Sequence, residues 1–339
     1  MTIRRRLADS VGILNGKIPL VNTRPNGPSS RRDQVVCRAS ERIHTPMSQL
    51  RHSLLELVRR TSTTLPDDVT RLLEAGRKQE AEGSVGAYAM NVIHENIGLA
   101  QTASQPLCQD TGAILFFVHG PVGMDQMAFR RAAEEAVVEA TEKGWLRQNS
   151  VDSITGANSG TNLGPGSPTI HFEQWDRPQV DVRLMLKGGG CENVGGQYSL
   201  PDNRIGAGRD LEGVRKCVLD ATLQAQGKGC GPGILGVCIG GDRGSGYAES
   251  KHQLLRKLDD TNPNPELDKL EKSLVEEANS LGIGPMGFGG RTTLLGVKLG
   301  VLNRLPASFF VSVSYMCWAY RRQGVVLDAS DQSIGEWLY

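Results

Sequence analysis

Forty-one of the 339 residues are glycine, well above the usual share of about 7% in soluble proteins. Many of them gather at residues 188–190, 240–246 and 282–290. Such clusters mark places where the chain turns tightly or brings its backbone close to a ligand. Each one alone reads equally well as ordinary loop punctuation. The segments between them show two different periods. Leu50, Leu54, Leu57 and Val58 fall at three- and four-residue spacings in a helix that begins near Pro46. Pro66-Asp67-Asp68 reads as a second helix start, with its acids at the positive end of the dipole. Residues 85–100, 125–143 and 263–281 read as further helices, and Leu211, Val214, Cys217, Val218 and Ala221 mark one face of another. The apolar run 113–118 suits a buried strand. Residues 234–239, 293–301 and 309–314 look like more strands. Val180, Val182, Leu184 and Leu186 alternate with Asp181, Arg183, Met185 and Lys187, the pattern of a half-buried strand. Helical and extended segments mix throughout, without a regular βαβ repeat. The expected fold class is therefore mixed α/β (α+β), with helices packed around mixed sheets.

The formal net charge of +1 hides an asymmetry. Residues 1–42 hold nine Lys/Arg against Asp9, Asp33 and Glu41, which leaves 29 basic and 34 acidic side chains in the rest. The first 42 residues read as a basic, disordered extension, with a targeting peptide as the alternative. The mildly acidic body does not resemble a nucleic-acid binder. No stretch of about 18 apolar residues is present, so no membrane-spanning helix is expected.

Seven cysteines, an odd number, stand in a large chain that shows no secretory signal: Cys37, Cys108, Cys191, Cys217, Cys230, Cys238 and Cys317. Reduced thiols and a cytoplasmic location fit better than a disulfide framework. Cys217, on an apolar helix face, and Cys238, inside an apolar strand, read as packing residues. Cys37 lies in the basic extension. Cys108, Cys191, Cys230 and Cys317 sit at loops or strand ends rich in Gly or Pro. No Cys-x-x-Cys pair occurs, which argues against a zinc ribbon or a ferredoxin-like cluster. Dispersed ligands that only folding would assemble remain open.

Five words carry a resemblance: Cys108-Gln109-Asp110-Thr111-Gly112; Lys187-Gly188-Gly189-Gly190-Cys191-Glu192-Asn193; Cys230 with Pro232 and the strand through Gly241; Gly282 through Thr293; and Pro306-Ala307-Ser308 leading to Cys317-Trp318-Ala319-Tyr320-Arg321-Arg322. In this order, from about residue 50 to 325, they resemble the class I (iron–sulfur) fumarate hydratases and the alpha subunits of L(+)-tartrate dehydratases. The resemblance implies that residues 43–339 form the alpha catalytic domain. It also implies a 4Fe-4S cluster with one open iron, held by Cys108, Cys230 and Cys317. That iron would act as a Lewis acid on the hydroxyl and carboxylate of a small dicarboxylate substrate. Asp110 would take part in acid/base catalysis; without the family context it would read as a turn or cap residue. Arg147 would grip a carboxylate in bidentate fashion. Gln109, Asn158, Asn162 and Lys187 are further substrate-binding candidates, Lys187 reading equally as a solvated strand end. Cys191 is read as a neighbour of the site, and His171 is given no catalytic role.

The pattern departs from the family at Cys191, at Gly231 in place of a first proline, and at Asn303-Arg304-Leu305 before Pro306. These departures bear on the substrate more than on the cluster. The first reading is reversible hydration of fumarate to (S)-malate. The alternative is dehydration of L(+)-tartrate to oxaloacetate: Cys191 and Trp318 lean that way, Glu192-Asn193 toward fumarate. The last motif is soon followed by Tyr339, so the resemblance implies an alpha subunit completed by a beta subunit in an α2β2 assembly. Outside this class stand a nucleotide-binding module built on residues 240–246, which lacks both Gly-x-Gly-x-x-Gly spacing and Gly-Lys-Ser/Thr, and a nucleic-acid- or membrane-surface-binding protein driven by the basic extension.

Overall fold

The computed structural model describes residues 46–339. The readings made for residues 1–42 and for Cys37 lie outside them. Two sheets organise the described chain. The first has five strands in the order β2 (Thr169–Trp175), β1 (Ala113–Pro121), β3 (Val180–Lys187), β8 (Arg322–Leu327) and β9 (Ile334–Trp337). The second has four, in the order β4 (Gly196–Ser199), β7 (Phe310–Met316), β5 (Gly233–Gly240) and β6 (Leu294–Leu302). Only β1 with β2 and β5 with β6 run parallel. Each parallel pair is joined through helix, as a parallel connection requires: α4 (Gln126–Glu142) in the first sheet, α7 (Arg243–Gln253) and α8 (Pro265–Ser280) in the second.

Helix α1 (Pro46–Thr63) packs against α4, and the two cover one face of the first sheet. The apolar stripe read from sequence is the reason: Leu50, Leu54, Leu57 and Val58 are all buried. Each such side chain stabilises the fold by about 1.5–3 kcal/mol on leaving water. Ala132, Ala133, Ala136 and Ala140 on α4 keep that contact close. Ile114, Phe116 and Val118 of β1 join this core, while Leu115 and Phe117 point into a second core shared with the other sheet. Helices α2 (Asp67–Gln79), α3 (Val85–Ala103) and α6 (Leu211–Ala225) contribute to that second core with α8.

Two expectations change. Strand β3 is not half-buried; it is covered on both faces. It lies between β1 and β8, and its polar residues are enclosed: Asp181 pairs with Arg183 at 3.0 Å, and Lys187 is inaccessible to solvent. Alternation separates two faces but does not say whether the polar one meets water. The 240–246 cluster is only partly a turn. Gly240 and Gly241 adopt φ of 94° and 68°, and α7 then begins behind Asp242. The Asp242 carboxylate accepts the N–H groups of Gly244 (2.7 Å) and Ser245 (3.0 Å), while Ser245 Oγ accepts the Asp242 N–H (3.0 Å). This reciprocal cap puts a carboxylate where a nucleotide phosphate would bind, against the nucleotide-binding alternative. Cys217 and Cys238 are buried as expected, and burial pushes both thiols up to about 12. All six described cysteines are free thiols.

Candidate active site

Three stretches far apart in sequence meet where the two sheets adjoin. The first follows α3. Its last turn closes on Ser104 in a left-handed conformation, Leu107 is buried, and Cys108 comes next. Gly112, with φ of 78°, ends the turn; a Cβ there would lie 2.5 Å from the carbonyl carbon of Lys187. Only glycine lets this turn press against the end of β3. The Thr111 hydroxyl donates to the Arg147 carbonyl (2.7 Å), and the Arg147 N–H donates to the Thr111 oxygen (2.9 Å).

Asp110 ties the region together. Its Oδ1 accepts the Gly112 N–H (2.8 Å) and the Asn149 amide (2.6 Å), and its Oδ2 accepts the Gly189 N–H (2.6 Å). Gly189 opens the single-turn helix α5 (Gly189–Asn193), which carries Cys191. One carboxylate thus joins the cysteine turn, the 147–162 loop and α5.

The other two thiols sit at one end of the second sheet. Cys230 precedes β5, Cys317 follows β7, and those strands are antiparallel neighbours. The Trp318 N–H donates to the Cys230 carbonyl (3.3 Å). Cys230 has φ of 53°, a strained conformation for a residue with a Cβ and one that gathers at functional sites. Gly233 beside it leaves room for Tyr315, whose hydroxyl would lie 2.3 Å from a Cβ.

Cys108, Gln109, Asp110, Cys191, Cys230 and Cys317 all line one cavity of about 610 Å³. Its rim carries the exposed apolar side chains Tyr88, Val92 and Phe288. Two buried cations stand by. Arg321 lines the cavity with Nε and Nη1 lacking any hydrogen-bond partner. Lys187 Nζ is 3.4 Å from Glu192 Oε2, yet it too lacks a hydrogen bond, and burial lowers its pKa. A hydrogen bond from Cys317 pulls the Cys191 thiol down to about 7 against the effect of burial, helped by the charges of Lys187 and Arg321. The Cys317 thiol is raised correspondingly by that bond and by burial.

The candidates read from sequence separate into groups. Cys108, Cys230, Cys317, Asp110 and Gln109 come together. Arg147 is exposed and does not line the cavity, although its backbone is fixed next to Thr111. Asn158 is exposed and spends its side chain on Gly160 and Gln148 within its own loop. Asn162 is buried and fully used, accepting from Asn149 N–H and donating to Thr141 and Arg147. It shapes the loop that carries Arg147. Lys187 is no solvated strand end: it is enclosed behind α5. The sequence assigns no role to Arg321, which stands inside the last motif word, or to Asn149, two residues after Arg147. Two adjacent buried arginines at 321 and 322 leave no periodic signal.

The donor set fits a cluster better than a single ion. Among the described residues, the three thiols do not converge within 4.8 Å of one another as ligands of one metal would; they surround a space instead. The Arg321 guanidinium lining that space, with two unpartnered nitrogens, suits a group that is anionic with its thiolates, since an unpaired buried donor costs about 1–3 kcal/mol.

The sequence pattern of the family described as Fumarate hydratase (Fumerase) matches residues 51–326. A Geobacillus stearothermophilus protein assigned as a class I fumarate hydratase is 52% identical over 296 residues, which are 86% of this chain and 58% of that protein. The chain therefore spans little more than half of that relative's length. A Methanocaldococcus jannaschii protein assigned as an L(+)-tartrate dehydratase subunit alpha is 34% identical, over 81% of this chain and 97% of its own length. The L(+)-tartrate dehydratase subunit alpha of Escherichia coli K12 is 32% identical, over 79% and 87%.

Proposed function

The chain belongs to the fumarate hydratase family, and from that premise we propose that it is the thiol-bearing part of a hydro-lyase acting on a small dicarboxylate, with fumarate hydration to (S)-malate as its reaction. The observation that carries this reading is the assembly of Cys108, Cys230 and Cys317 from three separate segments around one cavity that also holds Asp110. These thiolates would hold a 4Fe-4S cluster through three of its irons. When bound, the cluster supplies an open iron as a Lewis acid for the substrate hydroxyl. The chain's own groups do the rest. Asp110, fixed by its three donors, gives or takes the proton at the neighbouring carbon. Gln109, beside Cys108, offers an amide to a carboxylate. Arg147 reaches the substrate only if its exposed side chain swings toward Asp110, two links away through Thr111. Arg321 and Lys187 balance negative charge without being consumed.

Two further observations support the same reading. Tyr88, Val92 and Phe288 form an exposed apolar rim around the cavity, and two of the relatives are named as alpha subunits. We read the rim as the seat of a beta subunit that closes the site, within an α2β2 assembly. L(+)-tartrate is the second reading, favoured by Cys191 in the cavity wall and by the near-complete coverage of the tartrate dehydratase alpha chains. No helix among the described residues is long and apolar enough to cross a membrane, and a cytoplasmic location fits the free thiols.

The test is anaerobic purification with the partner, followed by iron and sulfide analysis and assay on fumarate, malate and tartrate. About four irons per chain are expected. They should be lost on changing Cys108, Cys230 or Cys317 to Ser and kept on changing Cys217 or Cys238 to Ser. An iron-free protein whose zinc disappears in Cys108→Ser would end the reading.

A further inference from the structure

Three of the chain's six histidines gather away from the cysteine cavity, on the opposite end of β1 and beside α7. We propose that His119, Glu173 and His252 form a binding site for a divalent transition metal, with zinc the best match. The parallel register of β1 and β2 sets His119 directly opposite Glu173, so both side chains leave the same face of the sheet. His252 comes from the last turn of α7, where the helix dipole favours positive charge. His119 Nε2 lies 3.1 Å from Glu173 Oε2, and one ligand atom from each of the three residues lies within 4.8 Å of the other two. Tetrahedral zinc with bonds of about 2.0–2.1 Å places its ligands roughly 3.4 Å apart. One pair already stands at that spacing. The exposed Glu173 is free to bring the set to it.

The surroundings hold the rings rather than fill the gap. His119 packs on Trp175 (centroids 5.7 Å apart) and His252 on Phe117 (5.6 Å). Glu249 Oε2 is 3.9 Å from His252 Nδ1, beyond hydrogen-bond distance, and a small rotation of the ring would make it the outer carboxylate that commonly orients a metal-bound imidazole. The nearby cation Lys251 is tied to Glu192 at 2.7 Å. Two imidazoles and one carboxylate select zinc, cobalt or nickel over calcium and magnesium, which require an oxygen shell. The neighbouring hollow of about 510 Å³, lined in part by Thr169, Ser245 and Tyr247, leaves the fourth position open to water or a small anion. None of the three ligands lines the cysteine cavity, so the site stands independently of the iron–sulfur reading.

The test is an anaerobic titration of the full chain, its thiols occupied by iron, with Co²⁺ and then Zn²⁺. One cobalt per chain should bind, with visible d–d absorption and no sulfur-to-cobalt charge transfer, and zinc should displace it. His119→Ala and His252→Ala should abolish this signal. Glu249→Gln should weaken binding about 10–100-fold, with the iron content unchanged throughout. Glu173→Gln changes an exposed residue and so reports on the site even if a histidine variant folds poorly; it should weaken binding at least tenfold. Cobalt binding that survives Glu173→Gln and His119→Ala unchanged, or that shows only sulfur charge transfer, overturns the proposal. So does the absence of binding at millimolar metal.

Discussion

Replacing Asp110 by Asn separates proton transfer from architecture, because the carboxylate has work of both kinds. Oδ1 accepts two donors and Oδ2 a third, the Gly189 N–H at 2.6 Å. The best orientation of an Asn keeps its oxygen on Gly112 and Asn149 and turns its NH₂ toward Gly189, donor against donor. One bond to a charged acceptor is lost, and a helix N–H is left unpaired, at a cost of about 1.5–3 kcal/mol. The variant should therefore melt a few degrees lower yet stay folded, with Cys108, Cys230 and Cys317 untouched. If the carboxylate moves the proton, kcat should fall about 10²–10⁴-fold, equivalent to roughly 3–5 kcal/mol of barrier. The two effects are read separately: thermal unfolding and iron content on one side, anaerobic loss of fumarate absorbance in the presence of the partner on the other. Asn149→Ala is the control. It removes one of the three donors and leaves the charge, so it should cost about 0.5–1.5 kcal/mol and hold kcat within tenfold. A rate for Asp110→Asn within a few-fold of wild type refutes the assignment of the proton to Asp110. Loss of iron in step with the rate makes Asp110 a positioning residue for α5, and the proton then belongs to another group.

Other consequences are as specific. Arg321→Leu removes a buried cation with two unpaired donors, so the iron-free protein should become more stable by about 1–3 kcal/mol, while iron uptake on reconstitution falls. Arg322 and Asp68 form a buried ion pair (Nη2–Oδ2 2.5 Å), and Asp68→Asn, which strands the guanidinium, should cost about 3–5 kcal/mol at neutral pH. Burial alone would raise the Asp68 carboxyl, but the hydrogen bond and charge of Arg322 outweigh it and hold the pKa below its ordinary value. Its stabilisation is therefore complete above about pH 4 and fades as pH falls through the lower folded value, a slope that chemical denaturation at graded pH should show in wild type and lose in the variant. Tyr88→Asp and Phe288→Asp, on the exposed rim, should weaken association with the beta partner by tenfold or more, as central aromatic contacts do, and leave iron content unchanged; unaltered binding by sedimentation would move the interface elsewhere.

Much of this was present in local pattern. The stripe Leu50–Leu54–Leu57–Val58 reads as one helix face because a helix has a period of 3.6, and it is buried as that predicts. The apolar runs of β1, β5 and β7 declare themselves by composition, and Cys217 and Cys238 by their apolar neighbours. The word Cys108-Gln109-Asp110-Thr111-Gly112 points to the candidate site through its resemblance to the family, and its glycine answers a local need at φ of 78°. Tertiary structure decided the rest. Asp110 meets Asn149 and Gly189, 39 and 79 residues away, and no local period relates such positions. The alternation in β3 was legible, but only the second core and the neighbouring strands turned its polar side inward and enclosed Lys187. Arg321 reads as one more surface charge until β7 and β8, strands of different sheets, draw it between them and leave two of its nitrogens without partners. A period reports which face a side chain takes. What that face meets is set by segments folded against it from elsewhere in the chain, and the charged groups that matter most here are defined by that meeting.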